Sequence, residues 1–320
     1  MSNFPSSFLV LKEAHDQPQF YQEVDESELE FHFVDFQQKK PIRLKVEVSE
    51  PSHFEQWFYQ DAPSILSSDA YYKSLAQLLT YLAKAEQNKV VFSRAQLFDL
   101  ALKPLELFEK LCEAYPAATV YLFSHPTCGT WLGASPETLL TFKGQALETA
   151  SLAGTLAYTD SGDFGEKEKL EQDIVTNYIM ETLNSVPGIS KVEKSPRKTI
   201  RAGNLKHLFT AIKGRSIAPL PLDTLLEKLH PTPAVAGNPK KEALELISSL
   251  EQYDRSYYTG YFGLKNEREG HFWVNLRCAQ LISAKQICLY AGGGIIAASV
   301  PESEWNETEN KMQTILNVMR

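Results

Sequence analysis

Hydrophobic residues recur at helical spacing in five segments of the chain. In the first, Leu75, Leu78, Leu79 and Leu82 fall on one face of a helix. The second begins at Pro104, and proline is favoured in the first turn of a helix. The spacing extends over residues 107–112, 170–178, 244–250 and 305–319. The pattern therefore predicts five helices, with long stretches of chain between them.

Apolar or alternating runs typical of β-strands lie between the helical segments. They cover residues 89–92, 119–124, 138–142, 205–213, 257–264, 271–281 and 288–291, and shorter alternating runs between residues 31 and 48 are interpreted as edge strands. Short turns connect the last three runs, so these strands are predicted to pair antiparallel. Because the helices do not alternate regularly with the strands, the pattern favours an α+β fold over a doubly wound parallel sheet.

The composition indicates one folded domain over residues 1–320. Hydrophobic residues make up 43% of the chain and charged residues 22%, which is enough apolar surface for a substantial core. No internal repeat and no linker interrupts the sequence. The polar and aromatic residues 1–65 carry no chemistry that the sequence can assign.

The charge balance excludes some classes of partner. Lysine and arginine number 32 and aspartate and glutamate 40, so the formal net charge is −8, which argues against a nucleic-acid or anionic-membrane partner. We expect neither a signal peptide nor a membrane span, because the apolar stretch 287–300 is too short and contains three consecutive glycines. We expect a cytoplasmic protein with reduced thiols, since no CxxC pair occurs among Cys112, Cys128, Cys278 and Cys288.

Two pairs of glutamates, three residues apart, are the first candidate for chemistry. Glu168 and Glu171 lie in the third predicted helix, and Glu304 and Glu307 lie in the last. Residues at this spacing share a helix face, so two such pairs brought together need a cation, and carboxylate oxygens suit Mg²⁺. The same spacing is more often that of a solvated helix face, and Lys311 is placed for an ordinary ion pair with Glu307.

Several other residues have both a structural and a functional interpretation. The glycines 292–294 follow a strand, where they either bend it or let backbone N–H groups approach a ligand. Glu137 stands at the head of a strand, and Lys89 begins another, where its side chain faces a cleft or solvent. His207 and His230 are interpreted as structural, because no metal-ligand or Ser-His-Asp spacing recruits them.

Nine segments, taken in order, resemble the motifs of the chorismate-utilising enzymes. The resemblance covers about two-thirds of the chain, from residue 89 to 311, and its strength lies in the order of the segments rather than in any one of them. The segments are GASPE (133–137), ETASLAGT (148–155), KEKLEQ (167–172), HLFT (207–210), LHPTPAVAGNPK (229–240), SYYTGYFG (256–263), NLRCA (275–279), YAGGGI (290–295) and SEWNETENK (303–311).

The resemblance implies a single-domain chorismate-binding fold, in which a β-sandwich of mostly antiparallel sheets is flanked by helices. It also implies that chorismate and Mg²⁺ bind between these layers. Lys89 matches a lysine of the members that use water, where anthranilate synthases have glutamine. Ala153 stands where aminodeoxychorismate synthases carry a lysine nucleophile, and LHPTPAV is similar to the isochorismate synthase version of that motif.

The implied activity is therefore that of an isochorismate synthase, an isomerase that adds water at C2 of chorismate and removes the C4 hydroxyl. The alternatives are a salicylate synthase, or the large subunit of an anthranilate or aminodeoxychorismate synthase. The resemblance further implies a role in menaquinone biosynthesis, or else in siderophore biosynthesis. We expect a monomer that needs no amidotransferase subunit.

The resemblance also implies roles for individual residues. Lys89 would take a proton from water and Glu137 would protonate the leaving hydroxyl, which requires a lowered pKa for the lysine and a raised pKa for the glutamate. The metal would be held by Glu171 and Glu307, with Glu168 and Glu304 acting behind them or through water. The substrate-binding residues would be Gly154, Thr155, His207, Tyr258, Arg277, Gly292, Gly293, Gly294 and Lys311.

Two residues depart from the family pattern. Gln172 stands where the family usually has a histidine after the metal-binding glutamate, and Ser151 stands where it usually has a proline. Neither departure removes an implied catalytic group.

Overall fold

The computed structural model describes residues 7–50, 57–58, 62–84, 88–158, 162–202, 205–217 and 219–320. Six helices occur in this part of the chain: α1 (Ser68–Leu82), α2 (Pro104–Ala114), α3 (Glu166–Ser185), α4 (Leu222–Leu229), α5 (Lys240–Leu250) and α6 (Pro301–Met319). Before the first helix come four strands: β1 (Phe8–Lys12), β2 (Gln19–Glu23), β3 (Glu30–Val34) and β4 (Ile42–Ser49).

Thirteen further strands follow in the described chain. The first eight are β5 (Lys89–Asp99), β6 (Thr119–His125), β7 (Gly129–Ser135), β8 (Thr138–Lys143), β9 (Ala146–Ala157), β10 (Ile189–Lys194), β11 (Lys198–Ala202) and β12 (Leu205–Ser216). The others are β13 (Gly237–Asn238), β14 (Tyr261–Lys265), β15 (Glu269–Val274), β16 (Cys278–Ser283) and β17 (Gln286–Ile295).

The strands form two sheets, and the pairings between the described strands are antiparallel. The first sheet has the order β13-β5-β17-β16-β7-β6-β1-β2-β4. In the second, β12 pairs with both β10 and β11, and the order continues β12-β9-β8-β15-β14-β3-β4. Strand β4 belongs to both sheets, because residues 42–45 pair with β3 and residues 46–49 pair with β2.

Aromatic side chains fill part of the space between the two sheets. Phe33 from β3 stacks on Tyr257 with ring centroids 4.6 Å apart and meets the edge of Phe123 from β6 at 5.0 Å. Both phenylalanines are fully buried, and so is Trp131 of β7, which belongs to the same cluster. Burial of such large rings contributes strongly to the stability of the sandwich. The expected α+β sandwich is confirmed.

The helices lie on the outside of the sheets, and two of them position the candidate site. Helix α3 packs on β9 and β12 of the second sheet, while α6 packs on β17 of the first. Their N-terminal halves both reach the region where β5 and β17 run side by side. No helix in the described residues is long and apolar enough to cross a membrane.

The five predicted helices are confirmed, but a sixth was missed and the buried face of one was assigned wrongly. Helix α4 was missed, although leucines 222, 225, 226 and 229 have the i, i+3, i+4, i+7 spacing of a helix with one apolar face. On α3, Leu170 was assigned to the apolar face, yet it is 38% exposed, and the buried face instead carries Glu171 and Gln172. That face is polar at its N-terminal end and apolar further along, where Val175, Ile179 and Leu183 are buried.

Two strand assignments also need correction. Strand β3 was expected at an edge, but it lies between β14 and β4. The single strand predicted over residues 271–281 is two strands, β15 and β16. They are separated at Arg277, whose backbone φ of +48° lies in the left-handed region and breaks the ladder.

Candidate functional site

A cleft with about 720 Å³ of empty volume lies where the two sheets meet α3 and α6. It is lined by residues from β5, β9 and β17, from both helices and from the loops around Glu137 and Arg277. The sequence-predicted residues on its wall are Lys89, Glu137, Gly154, Glu171, His207, Tyr258, Arg277, Gly292, Gly294, Glu307 and Lys311. Residues from nine separate segments of sequence thus converge on one cavity.

Lys89 is the first residue of β5 and is only 2% exposed. Its Nζ lies 3.9 Å from Glu171 Oε2, and its Cε fills the space left by the missing side chain of Gly294, where a Cβ would come within 2.6 Å. Burial lowers the pKa of Lys89; Glu171 opposes this effect and the nearby Lys311 adds to it. A lowered pKa makes the neutral amine, which is the basic form, more accessible.

Glu137 lies between β7 and β8 and is 6% exposed. Ser135 fixes this turn, because its hydroxyl donates to the carbonyl of Val274 at 2.6 Å and accepts from the Glu137 backbone N–H at 3.3 Å. Burial raises the pKa of Glu137 to about 7, although Lys89 and Lys311 both favour the carboxylate. The side chain is therefore a carboxylic acid that holds its proton up to neutral pH.

Three glutamates form an acidic group next to Lys89. Glu171 comes from α3, and Glu304 and Glu307 come from α6. Lys167 joins the two helices, since its Nζ lies 3.9 Å from Glu171 Oε1 and 2.6 Å from Glu304 Oε1. Lys311 pairs with Glu307 Oε1 at 2.6 Å and also donates to the carbonyl of Gly292 at 2.7 Å.

The protonation of these carboxyls differs because their surroundings differ. Burial raises the pKa of Glu171, and it also raises the pKa of Glu304, against the effect of the neighbouring lysines. Burial alone would also raise the pKa of Glu307, but Lys311 outweighs it and the pKa is lowered overall. The site thus contains one carboxyl whose pKa is lowered and two whose pKa values are raised.

The donor set suits a hard divalent cation. It consists of carboxylate oxygens, and Glu304 Oε2 is buried with no hydrogen-bond partner among the described residues. Gly293 leaves a gap beside this group, because a Cβ there would lie 3.0 Å from Glu304 Oε2 and 3.6 Å from Glu307. Within the described chain no three His, Cys, Asp or Glu side chains converge as a ready-made metal cage. Lys167 and Lys311 occupy the carboxylates instead.

Glu168 has a different environment from the other three glutamates. Its Oε2 accepts a hydrogen bond of 2.9 Å from the backbone N–H of Gly165, which caps the start of α3. The backbone of Gly154, with φ of +71°, passes so close that a Cβ there would lie 2.8 Å from the Cβ of Glu168. Glu168 therefore caps its own helix, and the missing side chain of Gly154 lets α3 pack closely on β9.

Arg277 and Tyr258 lie in loops next to β14 and β16, and both line the cleft. The Arg277 guanidinium donates to Thr314 Oγ1 of α6 at 3.0 Å, and its left-handed backbone directs the side chain out of the strand ladder. Tyr258 is 3% exposed and stacks on Tyr290 with centroids 5.3 Å apart. The cleft thus has a cation, Arg277, beside the stacked rings of Tyr258 and Tyr290.

The remaining predicted residues lie on β9 and β12. His207 is 4% exposed, and burial, together with Arg277 and Lys311, lowers its pKa to about 3, so the imidazole is neutral. Thr155 pairs with His207 in the strand ladder; its side chain lies outside the described part. Ala153 also lines the cleft, and it presents only a methyl group. His230 is fully buried and is not part of the lining.

Sequence reasoning missed Lys167, which bridges the two acidic helices. Its position four residues before Glu171 is the spacing of an ion pair on one helix face. That spacing was a usable signal, but the contact with Glu304 of α6 is visible only once the two helices are placed side by side.

A family model described as a chorismate binding enzyme matches residues 22–320. The chain belongs to this family of chorismate-binding enzymes. The match begins well before residue 89, so the N-terminal strands β2 to β4 belong to the family fold and are not an unrelated extension.

Individual relatives show which members this chain is similar to. It is 34% identical over 259 residues to isochorismate synthase EntC of Escherichia coli K12, and the match covers 76% of this chain and 65% of that protein. This chain therefore spans just under two-thirds of that relative's length. It is 30% identical over 269 residues to isochorismate synthase MenF of Bacillus subtilis, covering 79% of this chain and 56% of that protein.

Solved structures show the same fold. The menaquinone-specific isochorismate synthase MenF from Escherichia coli superimposes with a TM-score of 0.83 at 19% identity, covering 98% of this chain and 89% of that one. Anthranilate synthase component I from Streptococcus pneumoniae gives a TM-score of 0.73 at 17% identity, over 100% and 94% of the two chains. The fold is thus shared by enzymes with different products.

Proposed function

We propose that this chain is an isochorismate synthase, which isomerises chorismate to isochorismate with the help of Mg²⁺. One observation carries the proposal. A buried lysine with a lowered pKa and a buried glutamic acid with a pKa of about 7 line the same cleft. Displaced values of this kind suit a base and an acid that work at the same pH. The curated relatives named above, which carry the same activity in their names, support this assignment.

In the proposed reaction Lys89 acts as the general base. Its neutral amine takes a proton from a water molecule, and the resulting oxygen attacks C2 of the ring. The double bonds shift and the C4 hydroxyl departs with the proton of Glu137. Water adds at one carbon and leaves from another, so the atoms balance. In the reverse direction, the two residues exchange roles.

The dicarboxylate substrate is held by the charged groups around the cleft. We assign Arg277 and Tyr258 to the enolpyruvyl carboxylate, because a guanidinium can bind a carboxylate through two parallel hydrogen bonds. We assign Glu171 and Glu307 as the residues that would hold Mg²⁺, with Glu304 beside them. When bound, the ion neutralises the ring carboxylate of the substrate. The lysines that now pair with these glutamates would be free to balance the remaining charge.

The remaining residues shape the pocket. We assign the backbone N–H groups of Gly154, Thr155 and those of the glycines 292–294 that point away from β5 as donors to the substrate, and the neutral His207 as part of the ring pocket. Ala153 offers no amine, so no covalent intermediate forms at this position. The reaction therefore needs only water as nucleophile and no amidotransferase subunit.

The test is incubation of the purified chain with chorismate and Mg²⁺, followed by separation and mass analysis of the products. Isochorismate is the expected product, and it should be absent when EDTA is present or when Lys89→Ala replaces the wild type. Salicylate with pyruvate as the main product would assign the chain to the salicylate synthases instead. An aminated product formed with ammonium would overturn the choice of water as nucleophile.

A further inference from the structure

Gln172 is the residue after Glu171 on α3, and it is 1% exposed. While Glu171 lines the cleft, Gln172 is buried under the helix, where α3 meets β9 and β12. A buried amide is costly unless its hydrogen bonds are made. The partners of this amide therefore show how α3 is held against the sheet.

Every polar atom of the Gln172 side chain is used. Its Nε2 donates to Ser151 Oγ of β9 at 2.9 Å and to Thr210 Oγ1 of β12 at 2.8 Å. Its Oε1 accepts from Arg197 Nε at 2.7 Å. The amide thus connects one helix to three separate segments of the second sheet's chain.

A second route closes the network. The hydroxyls of Ser151 and Thr176 lie 2.7 Å apart, and Thr176 Oγ1 donates to the carbonyl of Gln172 at 2.8 Å. Ser151 and Thr210 also face each other in the ladder between β9 and β12. Both are almost fully buried, so these bonds have little competition from water.

The two departures from the family pattern are therefore direct partners. A neutral histidine at position 172 has one donor and one acceptor, so it cannot donate to two hydroxyls while accepting from Arg197. A proline at position 151 has no hydroxyl at all. The amide and the serine make a set of bonds that neither usual residue can make.

We propose that Gln172, Ser151 and Thr210 form a positioning network that fixes Glu171 as a ligand for the divalent cation. The network sets the height and rotation of α3 on the sheet, and Glu171 is the adjacent residue of that helix. This inference rests on the proposed function, since it assumes that the cation binds at Glu171. None of the three residues touches the substrate or the reacting atoms.

The sharpest test is a matched pair of variants at one position. Thr210→Val keeps the shape but loses the hydroxyl that accepts from Gln172, whereas Thr210→Ser keeps the hydroxyl. Mg²⁺ affinity is measured by titration calorimetry without substrate, and kcat and the Mg²⁺ dependence of the rate are measured separately. Residues that orient a metal ligand typically alter affinity about 10-fold to 100-fold, so we expect about a 10-fold loss for valine and near wild-type affinity for serine.

A second set of variants tests the coupling between Gln172 and Ser151. Gln172→Leu should weaken Mg²⁺ binding, and the double variant with Ser151→Ala should be no weaker than Gln172→Leu alone, because both changes break the same network. Asn177→Leu, an exposed amide of the same helix, is the matched control and should leave the affinity unchanged. Thermal melts identify any variant that fails to fold, and the Thr210 pair then decides.

The outcomes separate this inference from the proposed function. If wild type makes isochorismate and binds Mg²⁺, but folded Thr210→Val binds it as tightly as Thr210→Ser, the network does not position Glu171. If the losses of Gln172→Leu and Ser151→Ala simply add, the two residues act independently and the coupling is refuted. If wild type forms no isochorismate, the proposed function fails, and Mg²⁺ affinity in the Thr210 pair still decides the positioning role.

Discussion

Replacing Glu137 with glutamine should change how the stability of the protein depends on pH. The folded carboxyl has a pKa of about 7 instead of the ordinary 4.5, because it is buried. Between these two values the unfolded chain has lost this proton while the folded chain still holds it. The free energy of unfolding therefore falls as the pH rises through this range, and the full contribution is present only below about 4.5.

The size of the effect follows from the pKa difference. Each pH unit corresponds to about 1.4 kcal/mol for one proton, so the loss between pH 4.5 and 7 amounts to about 3 kcal/mol. Glu137→Gln has nearly the same shape and no proton to lose. The variant should therefore gain about 3 kcal/mol relative to wild type across this interval, even though it is expected to lose its catalytic acid.

The assay is urea unfolding of wild type and Glu137→Gln at several pH values from 4.5 to 8, with EDTA present to exclude metal. Taking the difference between the two proteins at each pH cancels the titration of the shared groups that do not interact with Glu137. A difference in unfolding free energy that stays constant over the whole range would refute the reasoning. It would mean that Glu137 ionises in the folded protein at its ordinary pKa.

Four further outcomes are expected at the cleft. Lys89→Ala should lower kcat by about 100-fold to 10,000-fold, the usual effect of removing a general base, and near wild-type turnover in a steady-state assay would exclude that role. Glu307→Gln should stay folded but bind Mg²⁺ more weakly in calorimetry, and an unchanged affinity would remove it from the metal site. Arg277→Lys should raise KM for chorismate by about 10-fold or more with a smaller change in kcat, because lysine cannot make two parallel hydrogen bonds to a carboxylate. After incubation with chorismate, intact-mass spectrometry should show no covalent adduct, since Ala153 offers no nucleophile; a stable gain in mass would contradict this.

The sequence predicts five of the six helices and ten of the seventeen strands in the described chain. Periodicity locates α3, but the face assigned inwards was wrong. The buried face begins with Glu171 and Gln172, which periodicity does not count, although its apolar continuation at Val175, Ile179 and Leu183 was a usable signal. The break between β15 and β16 depends on the left-handed backbone of Arg277. This conformation is uncommon for arginine, so the residue type does not predict it. Polar burial and unusual backbone are tertiary effects, and they are concentrated at the site.

The candidate site shows the same division. The motifs indicate which residues meet, and the structure brings Lys89, Glu137 and Glu171 to one cleft. The motifs do not indicate what each carboxylate contacts. Glu168 and Glu171 have the same helical spacing as the pair on α6, yet Glu168 caps its own helix. The bridging role of Lys167 depends on a contact across 137 positions of the chain, which spacing within one helix cannot reveal.

Strand β4, shared by both sheets, has a consequence for how the chain reaches its folded state. Phe33 of the preceding strand pairs with Phe262, and Leu9 of β1 pairs with Phe123, so the sandwich closes only after most of the chain has been made. Contacts so distant in sequence raise the contact order and slow folding. The N-terminal strands keep unpaired edges until their later partner strands have been made, and such edges are where misassembly begins. Strands β1 to β4 hold no reacting group, yet during synthesis they are thus the part of the chain that most needs protection.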